Sequence, residues 1–443
     1  MLKKGSLTGL LLFGMFFGAG NLIFPPQLGL ESGQNFGPAI GGFVLSGVGI
    51  AILTLIIGTL NPKGYIDEIS KKIAPWFAVA YLVALYLSIG PFFAIPRTAT
   101  TAFSVGIEPM LPAGSHTIWL FAFTLVYFAL AYLIALNPSK ILDSIGRYLT
   151  PIFALLIVVL VVLGAAKYGS AAPQEATAEY AASAFGAGFL QGYNTLDALA
   201  SVAFSVVAVT TLNQLGFKNK KEYISTIWIV GILVALGFSV LYIGLAFLGN
   251  HFPLDLANLP KGANVGASVL SSSTQAIFGP MAQVFLAIMV TVTCFTTTAG
   301  LIVSTGEFFH NTFPKVSYKV YATIFTLVGF AIANLGLNAI IQYSVPALEI
   351  LYPITITIVM IVMVNRFLPL SKPGMQLTIV VVTLIAFASI LGRQFKLTAI
   401  LNLVNALPFA QASLPWLLPA LVGILLSLLL PNKQKTEAFE FEA

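Results

Sequence analysis

The chain has 443 residues, 58% of them hydrophobic and only 8% charged, with a net charge of +6. Soluble domains carry about 25% charged residues, so this composition excludes a water-facing globule, and a single helical bundle in lipid absorbs the whole length. One cysteine, Cys294, excludes an internal disulfide and cysteine-ligated zinc or iron–sulfur centres, and three scattered histidines (His116, His251, His310) argue against a histidine-ligated metal.

A membrane crossing needs about 20 mainly apolar residues. Twelve such spans follow in chain order: 7–30, 36–60, 75–103, 117–136, 142–166, 186–213, 223–249, 275–305, 317–337, 339–366, 374–391 and 413–431. The first follows Met1-Leu2-Lys3-Lys4 in the manner of a secretory signal. It is too long for a signal h-region and lacks a small-residue cleavage site, so it reads as a retained span. The ninth and tenth share one apolar stretch, divided only by Asn334, Gly336 and Asn338. The longest loops are 167–185 and 250–274, and a short polar tail, 432–443, ends the chain. No linker marks a second domain.

Lys and Arg give the orientation. With a cytoplasmic N-terminus, the inside set is Lys3, Lys4, Lys63, Lys71, Lys72, Lys140, Arg147, Lys218, Lys220, Lys221, Lys315, Lys319, Arg366, Lys372, Lys433 and Lys435. The outside set is Arg97, Lys167, Lys261, Arg393 and Lys396. Sixteen of the 21 basic residues thus fall on one side, and both termini are expected in the cytoplasm. The positive charge reports topology, so no nucleic-acid partner is inferred from it.

The first span contains "FFGAGNLIFPP", residues 16–26. In hydrocarbon every backbone N–H and C=O needs a partner, so a helix break there survives only inside protein or beside a wet cavity. The freed amides carry partial positive charge and the freed carbonyls partial negative charge. Glycines in membrane helices also serve tight packing, so this stretch alone is ambiguous. The sixth span repeats the feature in "GAGFLQGYNTLDALASVAF", residues 186–204. Spans 1 and 6 are five apart, so two consecutive five-helix units would have opposite orientations. Interrupted helices at corresponding positions are the mark of inverted-repeat transporters. The repeats are expected at 7–166 and 186–366, followed by extra helices at 374–431.

Other polar groups sit inside spans. Asp197 is costly in lipid and functional by default; it either couples an ion or proton or pairs with groups freed by the break. Thr296, Thr297 and Thr298 in "TVTCFTTTAGL" can cap their own helix or offer hydroxyl oxygens to a hard cation such as Na⁺. Glu349, between Pro346 and Pro353, either gates or couples, or simply pairs with a neighbour. Arg97 is expected near the outer surface, as a snorkelling or gating residue rather than a substrate ligand, and Glu307 near the cytoplasmic face. Phe16, Phe17, Phe24 and Tyr193 adjoin the breaks and suit a pocket for a ligand with a charged head and an apolar tail. No HExxH, GxSxG, paired-aspartate or P-loop motif occurs in a span, which argues against an intramembrane enzyme and direct ATP drive. A channel is less favoured, because channels build their filters by oligomeric symmetry.

The segments "LLFGMFFGAGNLIFPPQLGLESG", "GPFFAIPRTA", "QGYNTLDALA", "TTTAGL" and "ALEILYP" resemble, in the same order, those of the bacterial branched-chain amino acid carrier family. The resemblance implies an all-α, LeuT-like fold: a five-plus-five inverted repeat with discontinuous first and sixth helices, plus two more. It implies symport of leucine, isoleucine and valine with Na⁺, or H⁺ in some members, in a bacterial cytoplasmic membrane; exchange or export on the same fold stays open. No cofactor beyond the coupling ion and no obligate protein partner is implied. Carried over by position, Gly18, Ala19, Gly20 and Asn21 would receive the substrate carboxylate. Gly192, Tyr193, Asn194 and Thr195 would form the opposite wall. Thr297 and Thr298, with Gly18 and Asn21, would hold Na⁺.

Overall fold

The computed structural model describes residues 9–10, 12–61, 63–112, 116–136, 150–214, 220–256, 259, 263–279, 281–431 and 434. Lys3, Lys4, Lys140, Arg147, Lys218, Lys261, Lys433, Lys435 and the opening of the fifth span lie outside them. The described residues are almost entirely helical. One continuous helical stretch, Ala19–Thr59, has 41 residues. At 1.5 Å per residue it would reach about 62 Å, twice a hydrocarbon core. It therefore holds two crossings, and Gly33, at φ +48°, divides them.

Span 1 combines helical residues 12–16 with Ala19–Ser32, and span 2 runs through Phe36–Val44, Leu45–Ile50 and Ala51–Thr59. A surface helix, Gly64–Lys72, precedes span 3 (Pro75–Leu87, Ser88–Phe92, Ala94–Ala102 and Phe103–Ile107). His116–Ala135 is span 4 and Thr150–Tyr168 is span 5. Span 6 is Ala178–Tyr193 and Asp197–Gln214, and span 7 is Lys220–His251. Spans 8 to 12 are Ala282–Thr312, Tyr318–Ala333, Leu337–Phe367, Lys372–Gln394 and Leu417–Leu429.

Several bounds differ from the sequence expectation. Residues 275–278, read as the start of span 8, belong to a separate helix, Val265–Phe278, that takes in the last part of the expected 250–274 loop. Gly279, at φ +82°, ends it, a left-handed position that glycine adopts without a Cβ penalty; the Gly279-Pro280 pair is the stop signal in the sequence. Asn264 caps its start, accepting from the Ala267 N–H at 3.0 Å. A short helical segment from Ala178 precedes span 6, which starts past a kink at Ser183 (φ −156°, ψ 79°), close to the expected 186, and Thr398–Asn405 adds a helix between spans 11 and 12.

The bundle is organised by two close crossings. Span 1 meets span 7 where a Cβ on Gly29 would stand 1.9 Å from the Ala246 carbonyl oxygen and one on Gly249 would stand 2.1 Å from that of Pro26. Span 2 meets span 6 where a Cβ on Gly42 would stand 2.2 Å from the Phe185 oxygen and one on Gly188 would stand 2.0 Å from that of Ala39. Only glycine allows such backbone contact, the usual basis of helix association in lipid. Exchanging span 1 with span 6 and span 2 with span 7 turns one crossing into the other, as a five-plus-five repeat requires.

Candidate functional site

Both breaks are shorter than the polar stretches that announce them. In span 1, among the described residues, only Phe17 and Gly18 leave the helix. Pro25 and Pro26 remain inside the second half-helix. Without N–H groups they cannot donate to the carbonyls four residues earlier, those of Asn21 and Leu22. The proline pair thus frees acceptors one turn past the break. In span 6, Asn194, Thr195 and Leu196 join the halves, and Leu196 takes φ +68°, a left-handed position uncommon outside glycine. Asp197 then opens the second half-helix, where a carboxylate complements the N-terminal dipole.

The two breaks face one cavity of about 30 Å³, water-sized. Gly18, Ala19, Gly20 and Asn21 line it from span 1, Thr195, Leu196 and Asp197 from span 6, Arg97 and Thr98 from span 3, and Thr297 from span 8. Phe16, Ile89, Phe204 and Leu301 supply apolar wall.

Asn21 is the centre of a buried network. Its Oδ1 accepts from the Gly18 N–H at 2.9 Å, pinning the break. Its Nδ2 donates to both oxygens of Asp197, at 3.0 and 2.9 Å. The Tyr242 hydroxyl of span 7 donates to Asp197 Oδ2 at 2.5 Å and also lies against Asn21 Nδ2. Asp197 of span 6 is therefore clamped by spans 1 and 7. Thr297 is the threonine that meets span 1: its hydroxyl donates to the Phe17 carbonyl at 3.4 Å, and a Cβ on Gly18 would stand 3.0 Å from its Oγ1.

The remaining sequence-selected residues lie elsewhere. Thr298 faces spans 3 and 4, with Thr98 Oγ1 at 2.5 Å and the Tyr127 hydroxyl at 2.7 Å, and Thr296 caps its own helix at Thr293 O. Gly192 packs against span 2, where an added Cβ would stand 1.9 Å from Ser46 Oγ. The Asn194 side chain bonds back to Gln191 at 3.1 Å. Tyr193 and Glu349 line a different cavity, of about 220 Å³, where Glu349 pairs with Arg393 of span 11.

Arg97 corrects the expectation of a surface position. It is 2% exposed, donates through Nη2 to the Thr195 carbonyl at 3.3 Å, and lies 5.3 Å from the Phe24 ring centroid. A third interruption puts it there. Gly90 leaves helical geometry (φ −89°, ψ −122°) beside Pro91, and helix Ala94–Ala102 restarts beyond it. The signal was present as Gly-Pro inside an apolar run followed by Pro96-Arg97.

The model of a family described as branched-chain amino acid transport protein matches residues 1–434. A putative branched-chain amino acid carrier protein of Staphylococcus haemolyticus is 40% identical over 433 residues, 96% of each chain. Among solved structures, the chain is similar to MhsT in complex with L-phenylalanine, with TM-score 0.56 and 17% identity, over 95% of this chain and 97% of that one. It is also similar to Mhp1, a nucleobase-cation-symport-1 family transporter in a closed conformation with bromovinylhydantoin bound. That match has TM-score 0.58 and 14% identity, over 96% of this chain and 91% of the other. Identities that low bear on fold alone: about twelve helices in the LeuT-like arrangement. With the match running almost end to end, the chain belongs to the branched-chain amino acid transport protein family, whose members are multi-pass membrane transporters and not enzymes.

Proposed function

We propose that the protein takes up leucine, isoleucine and valine across a bacterial cytoplasmic membrane with Na⁺, by alternating access and with both termini in the cytoplasm. The observation that carries this reading is the meeting of two helix breaks and Thr297 at one buried cavity. Half-helix amides at Ala19 and Gly20 present partial positive charge. Carbonyls at Phe17 and Asn21 and the Thr297 hydroxyl present oxygens, the donor type a hard cation takes. The apolar wall of Phe16, Ile89, Phe204 and Leu301 suits a branched side chain, each buried CH₂ contributing about 0.8 kcal/mol. A cavity of about 30 Å³ is far smaller than an amino acid. Binding therefore requires the half-helices to move apart, which is the motion alternating access needs.

Asp197 favours proton coupling as a second reading, because it is a buried carboxylate between the moving halves. Radiolabelled leucine uptake into proteoliposomes, under an inward Na⁺ gradient and then an equal K⁺ gradient at fixed pH, separates the two. Na⁺-driven uptake is expected, with Thr297→Ala raising the Na⁺ concentration for half-maximal uptake roughly tenfold, about 1.4 kcal/mol for the loss of one oxygen ligand. Uptake indifferent to Na⁺ but raised by an inward proton gradient would transfer coupling to Asp197. Efflux or strict exchange as the only flux would replace net uptake. No leucine binding and no flux under any gradient would sink both readings.

A further inference from the structure

We infer that Arg97 grips the α-carboxylate of the transported amino acid, so that span 3 supplies a recognition residue between the two broken helices. This rests on the reading of the substrate as an amino acid.

The guanidinium is always charged and carries five N–H donors in a rigid fork. In this chain it is buried, and no carboxylate of the described residues forms an ion pair with it. Asp197, the carboxylate of the same cavity, has both oxygens engaged by Asn21 and Tyr242. One Arg97 nitrogen, Nη2, bonds the Thr195 carbonyl. The other two, Nε and Nη1, are buried without a hydrogen-bond partner among the described residues. A buried cation with unused donors is costly unless an anion completes it.

The surroundings suit a carboxylate. The guanidinium stands at the start of the half-helix Ala19–Ser32, and a Cβ on Gly20 would lie 3.0 Å from Nη2. Glycine at 20 is what lets the charge reach the break. The first N–H groups of that half-helix have no partner within the helix. The Gly18 N–H is taken by the Asn21 side chain, which leaves those of Ala19, Gly20 and Asn21. A carboxylate placed there would meet the amides from one side and the fork from the other, a charge-assisted bidentate arrangement. The Phe24 ring, its centroid 5.3 Å from the guanidinium carbon, adds a cation–π contact.

A purely structural Arg97, needed only to hold the Thr195 carbonyl, would use one donor and would serve every ligand of the cavity equally. That difference is the basis of the test. Purified full-length protein is titrated with leucine and with isopentylamine, which has the same side chain and ammonium group but no carboxylate. The wild type should bind leucine at least about 100-fold more tightly, the discrimination expected when charged donors lose their partner. Arg97→Met should weaken leucine by about 100-fold while moving isopentylamine less than about threefold, so that the preference collapses. Arg97→Lys, which keeps the charge but not the fork, should fall between.

Leucine binding by Arg97→Met within threefold of the wild type would overturn the inference. So would equal losses for both ligands in a variant that elutes as a single folded species. If Arg97→Met does not fold, the wild type decides: equal binding of the two ligands overturns the inference, and strong preference with an intermediate Arg97→Lys supports it. A wild type that binds none of leucine, isoleucine and valine overturns the transport reading itself. A wild type that binds leucine, with Arg97→Met keeping that affinity or losing both ligands equally, overturns only the role of Arg97.

Discussion

Asp197 has its two carboxylate oxygens satisfied by groups from two other spans, Asn21 and Tyr242. Hydrogen bonds to charged groups contribute about 1.5–3 kcal/mol, and partners in one network are not additive. Tyr242→Phe removes a hydroxyl donor and nothing else, and Asn21→Ala removes the amide that also holds Gly18 N–H. Each should lower thermal stability in detergent by roughly 1–3 kcal/mol. The double variant should lose at least about 0.5 kcal/mol less than the sum; strict additivity would mean the two residues do not share Asp197. The necessity of satisfying polar atoms in lipid made this cluster legible in the sequence: Asp197, Asn21 and the Gly18–Gly20 break all stood out as polar or small residues inside apolar runs. Arg97 was misplaced for a related reason. Span 3 reads as smooth up to its end unless Gly90-Pro91 is taken as a break, and without that break Arg97 falls near a membrane surface.

At the scale of elements, the sequence could not separate a glycine that breaks a helix from one that lets two helices touch. Gly18 adjoins Thr297, whereas Gly192 adjoins span 2. Ser46 Oγ, which donates to the Phe189 carbonyl at 2.7 Å, occupies the place a Gly192 Cβ would need. Ser46 sits where span 2 widens into the π-helical stretch Leu45–Ile50, a local adjustment no residue pattern announces. Overpacking a fitted contact costs about 1–3 kcal/mol. Gly192→Ala should therefore lower the melting temperature, and adding Ser46→Ala should recover part of the loss, while leucine affinity in the folded fraction stays within about threefold. Unchanged stability with abolished binding would instead return Gly192 to the substrate wall. The end of helix Val265–Phe278 was legible, since Gly279-Pro280 is a breaker pair, but glycine and proline also occur inside membrane helices, so the pair alone does not separate a stop from a kink.

The whole molecule is closed differently at its two ends. At one, Glu68 of the Gly64–Lys72 helix is buried between Lys72, at 2.6 Å, and Arg366 at the end of span 10, at 3.4 Å, with Asn61 Nδ2 donating at 3.0 Å. At the other, the cavity of about 220 Å³ reaches from the Glu349–Arg393 pair down to Tyr193. Tyr193 stacks on Tyr352 of span 10, ring centroids 4.1 Å apart. Tyr193 lines the larger cavity, and Thr195 and Asp197, next along span 6, line the central one, so the stack is expected to form the partition between them. Stacked aromatic pairs contribute about 0.5–1.5 kcal/mol, enough to shift an opening equilibrium roughly threefold to tenfold. The single cysteine makes this testable, since Cys294→Ser yields a cysteine-free background. In intact cells, a membrane-impermeant maleimide should label Ala410→Cys, in the larger cavity, quickly and Ala200→Cys, in the central one, slowly. Adding Tyr352→Ala should speed labelling at position 200 by threefold to tenfold, as removal of the stack requires, and leave position 410 unchanged. No acceleration would show that the barrier lies elsewhere. An unreactive position 410 would reverse the proposed orientation, because the Arg393 end would then face the cytoplasm.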